Sequence, residues 1–163
     1  MVGMKAKNHI TFGGIVLIII VFLLANPSDL HSLVKIDSNS SMLIATFLIF
    51  GIIGTILPDA DSNNCGSRIF YTVFFPIAFF VKFLEYPIAK LLKRQIRHRG
   101  SLHTLVGVII TSITTPVVLF LIYIIFCNCN LDMYLASALM CSIIGLFIGQ
   151  ITHLIADFHF KFK

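Results

Sequence analysis

Residues 102–126 read LHTLVGVIITSITTPVVLFLIYIIF, and this stretch contains no Asp, Glu, Lys or Arg. A helix that crosses the hydrocarbon core of a bilayer needs about 20 mainly apolar residues. The stretch therefore predicts a transmembrane helix with room for tilt, and Pro116 is a position where that helix can kink. Because lipid offers no partner for backbone polar groups, such long apolar runs favour helices over open sheets.

The rest of the chain has the same apolar character. Of the 163 residues, 58% are hydrophobic and 12% are charged, whereas a soluble domain carries about 25% charged residues. Further apolar runs predict spans at residues 10–25, 41–57 and 133–156. We therefore expect an all-α, polytopic membrane bundle of four transmembrane helices that forms one domain over residues 1–163.

A fifth apolar run, residues 69–81, is too short for a span and contains Pro76. Charged residues follow it closely, which is typical of an amphipathic helix at a membrane surface. We therefore expect an interfacial or re-entrant segment over about residues 69–95 instead of a fifth crossing. With four crossings, both termini and the segment 59–101 lie on the same side of the membrane.

The positive charges are distributed very unevenly between the two sides of this arrangement. Eleven of the twelve Lys and Arg residues lie on the side that holds both termini, and Lys35 lies on the other. The positive-inside rule therefore predicts that the N- and C-termini are cytoplasmic. The net charge of +5 is explained by this topology, so we expect no specific nucleic-acid partner.

Four groups of His and Asp residues fall at the cytoplasmic ends of the predicted spans. His9 opens the first span, LPDAD (57–61) ends the second, HRGSLH (98–103) opens the third and HLIAD (153–157) ends the fourth. Zn²⁺, Mn²⁺ and Fe²⁺ accept imidazole nitrogens and carboxylate oxygens as ligands. We therefore predict one metal site that draws on residues distant in the sequence: His9, Asp59, Asp61, His98, His103, His153 and Asp157.

Each group also has a plain structural interpretation. Paired carboxylates can simply end a helix, and histidines beside arginines can contact lipid headgroups. His153 and Asp157 share a helix face, so Asp157 can orient His153 with or without metal. Ser101 is a candidate cap for the third span, and Gly13 and Gly14 after His9 permit close helix packing. The metal interpretation is favoured because all the groups fall on the same predicted side.

The order and spacing of these groups resemble those of the YdjM-type family of bacterial and archaeal inner-membrane proteins, some of them under LexA control. The family pattern is Thr-His, then Leu-Pro-Asp-x-Asp-His, His-Arg-Gly-x-Thr-His-Ser and His-Leu-x-x-Asp. This chain departs from it at Asn8, Ser62, Leu102 and Thr104, and Ser62 removes one candidate ligand. The resemblance implies an inner-membrane (plasma-membrane) metal-dependent hydrolase. The family is in turn distantly similar to zinc-dependent phospholipase C and single-strand nucleases, which is an analogy of chemistry only.

Together the residues and the resemblance predict a membrane-embedded hydrolase that cleaves a phosphoester at the cytoplasmic face through metal-activated water. Its substrate would be a phospholipid or a lipid-linked phosphate held by Arg99, with Asp61 or Asp157 as the base. The cofactor would be one or two divalent ions, with zinc preferred over manganese or iron. Membrane lipid is the expected partner, and a homo-oligomer stays open.

Two other classes of function stay open from the sequence. A metal transporter would place its ligands near the bilayer midplane, whereas here they lie at the ends of spans. A small membrane interaction or effector protein with a structural metal fits the same residues. Lipid phosphatases of the vanadium-peroxidase type are excluded, because the chain shares only His153-x-x-x-Asp157 with them and lacks their Pro-Ser-Gly-His and Lys-Arg-Pro elements.

Overall fold

A computed structural model describes residues 6–24, 38–61, 75–91, 93, 101–128 and 130–159 of the chain. The helices are α1 Ala6–Leu24, α2 Ser38–Gly54, α3 Phe75–Leu91, α4 Leu105–Cys127 and α5 Met133–His159. Short 3-10 helices at Leu57–Asp61 and Ser101–His103 follow α2 and precede α4. No strand occurs in these ranges, so the all-α prediction is confirmed for the described part of the chain.

Three stretches of the described chain are long and apolar enough to cross a membrane: Asn39–Asp59, Leu105–Cys127 and Met133–Asp157. They match the second, third and fourth predicted spans. The first predicted span is instead a shorter apolar helix, Asn8–Leu23 within α1. The structure therefore supports three spanning helices and one shorter apolar helix where the sequence predicted four spans.

The start of α4 differs from its prediction. Ser101–His103 forms a 3-10 helix, and the N-cap of α4 is Thr104, with φ −105° and ψ 154°. The backbone N–H of Gly107 donates to Thr104 Oγ1 over 3.0 Å, which satisfies one of the amides that a helix start leaves open. The prediction that Ser101 caps this helix is therefore wrong, and the cap lies directly after His103.

This cap gives a testable expectation for Thr104→Ala. Loss of the hydroxyl removes the acceptor for the Gly107 amide, and such N-cap losses cost about 1 kcal/mol of stability. Thermal unfolding of the purified protein in detergent measures the effect. Thr104→Ser keeps an acceptor at the same position and should unfold at the same temperature as the wild type. Equal destabilisation by both changes would contradict the capping role.

Helix α3 occupies part of the predicted interfacial segment. Its described part begins at Phe75 and includes Pro76. The buried side chains of α3 recur at helical spacing and include Val81, Glu85 and Ile88. Residues 62–74, which hold the beginning of the predicted segment, lie outside the described residues.

Helices α2 and α5 pack closely through glycine. A Cβ added at Gly149 would overlap the carbonyl oxygen of Gly51, and one added at Gly145 would overlap the carbonyl oxygen of Phe47. A Cβ at Gly54 would in turn overlap the carbonyl oxygen of Leu146. Apolar side chains gain little by leaving lipid for another helix, so close backbone contact between small residues is a main source of helix association in membranes.

The other helices surround this pair. Helix α1 contacts both α2 and α5, and α4 contacts α5. Gly13 of α1 lies against Thr55 and Thr152, as the prediction of close packing requires, whereas Gly14 faces open space. A buried apolar cluster joins α3 to the two 3-10 helices and to α2 and α5; it comprises Ile53, Ile56, Leu57, Val81, Ile88, Leu102 and Leu146. This cluster supports the end of the bundle where the His and Asp residues lie.

Candidate metal centre

Five of the seven predicted ligands meet at one end of the bundle. They come from the start of α1, from each of the two 3-10 helices and from the last turns of α5: His9, Asp59, His103, His153 and Asp157. His9 and His153 are buried, with 2% and 1% of their surfaces exposed. The convergence predicted from membrane topology is thus present in the structure, and the roles of these residues as ligands stay predictions.

Three donor atoms form a nearly equilateral triangle. Asp59 Oδ1 lies 3.6 Å from His103 Nε2 and 3.7 Å from His153 Nε2, and the two Nε2 atoms lie 3.4 Å apart. Donor atoms bound at 2.0–2.2 Å around a tetrahedral zinc ion are separated by about 3.3–3.6 Å. The triangle therefore has the dimensions of one face of a tetrahedral metal site.

A backbone carbonyl sets the direction of the His153 ring. His153 Nδ1 lies 2.8 Å from the carbonyl oxygen of Thr55, and because a carbonyl only accepts, Nδ1 must donate. In the neutral ring, Nε2 then carries the lone pair, and this atom is the corner of the triangle that His153 contributes. Metal-binding histidines usually donate their other N–H to such a partner, which fixes both tautomer and orientation.

The Thr55 carbonyl is available for this bond because α2 ends just before it. In a continued α-helix the amide of Asp59 would bond to Thr55, but here it donates to the carbonyl of Ile56 over 3.0 Å. The change from α-helix to 3-10 helix thus has two effects. It turns Asp59 toward the histidines, and it leaves the Thr55 carbonyl to accept from His153.

His9 and Asp157 complete the cluster on its other side. His9 stacks on His153 with ring centroids 4.1 Å apart, and His9 Nε2 lies 3.7 Å from Asp157 Oδ1. Two overlapping groups of donor atoms each lie within 4.8 Å: His9, Asp59 and His153, and His103, His153 and Asp157. His153 belongs to both groups but has a single ring nitrogen left to bind with, so the arrangement favours one ion over two.

The remaining predicted site residues are not placed. The backbone of Asp61 ends the 3-10 helix Leu57–Asp61, but its side chain lies outside the described part of the structure, as do all of His98 and Arg99. Their predicted roles as ligands, base and phosphate-binding group stay predictions. Sequence reasoning also missed Thr55, because every residue has a backbone carbonyl and the residue type does not show which one accepts a hydrogen bond. It also missed the buried polar residues Gln150, Thr111 and Ser112.

Fold and cluster together define a class: a helical, membrane-spanning protein with a buried His and Asp centre at one end of its bundle. The YdjM inner membrane protein family matches residues 4–162, and the chain therefore belongs to this family. The motif resemblance is thereby confirmed. Comparisons with curated proteins and with solved structures gave no match. The family description agrees with the apolar helices in indicating an inner-membrane location.

Proposed function

We propose that this protein is a membrane-embedded, metal-dependent hydrolase of phosphoesters at the cytoplasmic face of the membrane. The observation that supports this most strongly is the triangle of Asp59, His103 and His153 at the spacing of a tetrahedral site. A divalent ion held there would supply a Lewis acid for a phosphoryl oxygen and make water a stronger acid. A mixed set of nitrogen and oxygen donors suits zinc, manganese or iron.

The two carboxylates differ from the histidines in their exposure. The side chains of Asp59 and Asp157 are 14% and 12% exposed, whereas those of His9 and His153 are 2% and 0% exposed. The carboxylates are therefore the more accessible groups of the cluster, and in this proposal a substrate would approach from their side. Asp59, His103 and His153 would hold the ion. Asp157 would accept a proton from water, and His9, 3.7 Å from Asp157, would orient that carboxylate.

The position of the cluster along the spans supports a lipid substrate. Asp59 and Asp157 are the last residues of two of the stretches that can cross a membrane. Residues at the ends of spans would lie near the headgroups, where a phospholipid or a lipid-linked phosphate carries its phosphoester, and this supports the proposal of a lipid substrate. The excess of Lys and Arg on the same side is the reason for assigning the site to the cytoplasmic face.

Elemental analysis of detergent-purified protein tests the metal site. Wild type should retain about one equivalent of zinc, manganese or iron, and Asp59→Ala and His103→Ala should each lose it, because a tetrahedral site needs at least three protein ligands. Asp132→Ala is the matched control: Asp132 accepts from the Leu135 amide at the opposite end of α5, over 2.7 Å. This variant should keep its metal.

Turnover is tested on the metal-loaded protein in phospholipid vesicles and, in parallel, on soluble phosphoesters. Faster release of phosphate or of a phosphorylated headgroup from lipid than from soluble esters would support the lipid substrate, and the reverse would redirect the search to nucleotides. Retained metal with no turnover on any phosphoester would favour a membrane interaction protein with a structural metal. Absence of metal from the well-folded wild type would remove the hydrolase proposal.

A further inference from the structure

Inside the membrane-spanning part of the bundle, α4 and α5 are joined by a buried polar cluster. Gln150 on α5 lies against Thr111 and Ser112 on α4, and these side chains are 0–1% exposed. The Thr111 hydroxyl lies 2.9 Å from Gln150 Oε1, and Gln150 Nε2 donates to Ser112 Oγ over 3.2 Å. The Thr111 hydroxyl also lies 2.7 Å from the Gly107 carbonyl and 3.3 Å from the Val108 carbonyl, so three acceptors surround its single proton. We refer to these three residues as the Gln150 cluster.

The Gln150 cluster links α5, which carries His153, to α4, whose N-cap Thr104 directly follows His103. Gln150 precedes His153 by about one helical turn on α5. Thr111 and Ser112 lie about two turns beyond His103, which directly precedes the cap of α4. Any shift of α4 along α5 at the cluster therefore moves His103 relative to His153 by a similar distance.

Apolar packing alone would hold this register weakly. In lipid a leucine gains little by exchanging acyl chains for another helix, so sliding between apolar helix faces costs little. The α2–α5 contact is fixed by close backbone approach at Gly51 and Gly149. The α4–α5 contact has directional hydrogen bonds instead, and a slip of one residue, about 1.5 Å, would stretch them and leave a buried amide unsatisfied.

We propose that Gln150 is a positioning residue of the metal centre: it fixes the register of α4 on α5 and so keeps His103 Nε2 within ligand distance of His153 Nε2. This inference rests on the proposed metal site. The 3.4 Å separation of the two nitrogens leaves little tolerance, because both must lie about 2.0–2.1 Å from the same ion. Gln150 itself does not touch the ion.

The test is Gln150→Met, which keeps an unbranched side chain of similar length and removes both hydrogen bonds. Purified protein in detergent is titrated with Co²⁺, a probe whose visible absorption reports tetrahedral coordination by nitrogen and oxygen. We expect at least about tenfold weaker Co²⁺ binding, within the range seen when residues that support metal ligands are removed, together with a changed absorption spectrum. If Gln150→Met lowered only the stability of the fold, the fraction that stays folded would show the wild-type absorption spectrum at saturating Co²⁺.

Matched controls remove hydroxyls that bond within their own helix. Thr114 on α4 donates to Ile110, and Ser142 on α5 donates to Ala138 and Leu139. Thr114→Val and Ser142→Ala should bind Co²⁺ with wild-type affinity and spectrum. If they weaken binding as much as Gln150→Met does, register is not the cause and the inference is overturned.

A second variant keeps the test valid if Gln150→Met does not fold. Thr111→Val combined with Ser112→Ala removes the partner hydroxyls and should weaken Co²⁺ binding as Gln150→Met does. The triple variant should bind Co²⁺ no more weakly than either of these, because all three changes break one cluster. If Gln150→Met binds Co²⁺ with wild-type affinity and spectrum, this inference alone is overturned. If Gln150→Met does not fold, the same result in the double variant overturns it. Failure of wild type to bind any divalent ion would overturn it together with the proposed function.

Discussion

His153→Ala should abolish stoichiometric metal binding, with a loss of affinity of roughly 100- to 1,000-fold. Zinc binding to structural sites is worth about 10–16 kcal/mol, which shared among three or four ligands gives each roughly 2.5–5 kcal/mol, and about 3–4 kcal/mol is the middle of that interval. At about 1.4 kcal/mol per tenfold change this yields the stated range. His153 is the residue where the loss should be largest, because both groups of donor atoms include it.

His9→Ala is the informative comparison for His153→Ala. It leaves the triangle of Asp59, His103 and His153 intact, so we expect a reduction of only about 10-fold, typical of a residue that supports the ligands. Competition between the protein and a chromophoric chelator measures both variants, with helix content checked by circular dichroism. Wild-type affinity in His153→Ala would place the metal elsewhere, and equal losses in both variants would show that His9 is a full ligand.

Gly149→Ala should destabilise the bundle by about 1–3 kcal/mol or more, the usual cost of overpacking a tight contact. The added methyl group would overlap the backbone carbonyl of Gly51, and a backbone atom cannot move aside as a side chain can. Helices α2 and α5 must therefore separate, which also shifts Thr55 and Asp59 away from His153. Reversible unfolding in mixed micelles, followed by circular dichroism, measures this loss, and weaker metal binding should accompany it.

Gly14→Ala is the matched control for this change. Gly14 is also in a helix, but nothing lies within 4 Å of its added Cβ. Alanine is a better helix former than glycine by about 1 kcal/mol, so this variant should be as stable as wild type or slightly more stable. If Gly149→Ala behaved in the same way, the close contact between α2 and α5 would be refuted.

The spans were predictable from the sequence because hydrophobic length reports directly on the thickness of the bilayer. The runs that became Asn39–Asp59, Leu105–Cys127 and Met133–Asp157 are long, continuous and bounded by polar residues. The alternation of span ends then placed His9, Asp59, His103, His153 and Asp157 on one side without any knowledge of packing. Five of the seven candidate ligands grouped in this way lie together in the described part of the structure, although the first of the four predicted spans is a shorter apolar helix.

The sequence was less informative about how the helices meet. The contact between α2 and α5 was not predicted from the sequence; the four-residue spacing of Gly145 and Gly149 is a packing signal that was not used. Ser101 and Thr104 are both good capping residues, and the 3-10 helix between them decided in favour of Thr104. Gln150 is a second signal that sequence reasoning missed, since a buried amide in lipid requires partners on a neighbouring helix.

The centre draws on both the first and the last described helices, since α1 supplies His9 and α5 supplies His153 and Asp157. During synthesis the N-terminal helix would enter the membrane long before the C-terminal one. A growing chain that carries only α1 to α4 has His9, Asp59 and His103 but lacks the residue shared by both groups of donor atoms. Metal capture would thus follow the insertion of α5, and a loaded centre would mark a chain in which α1 and α5 have both been inserted.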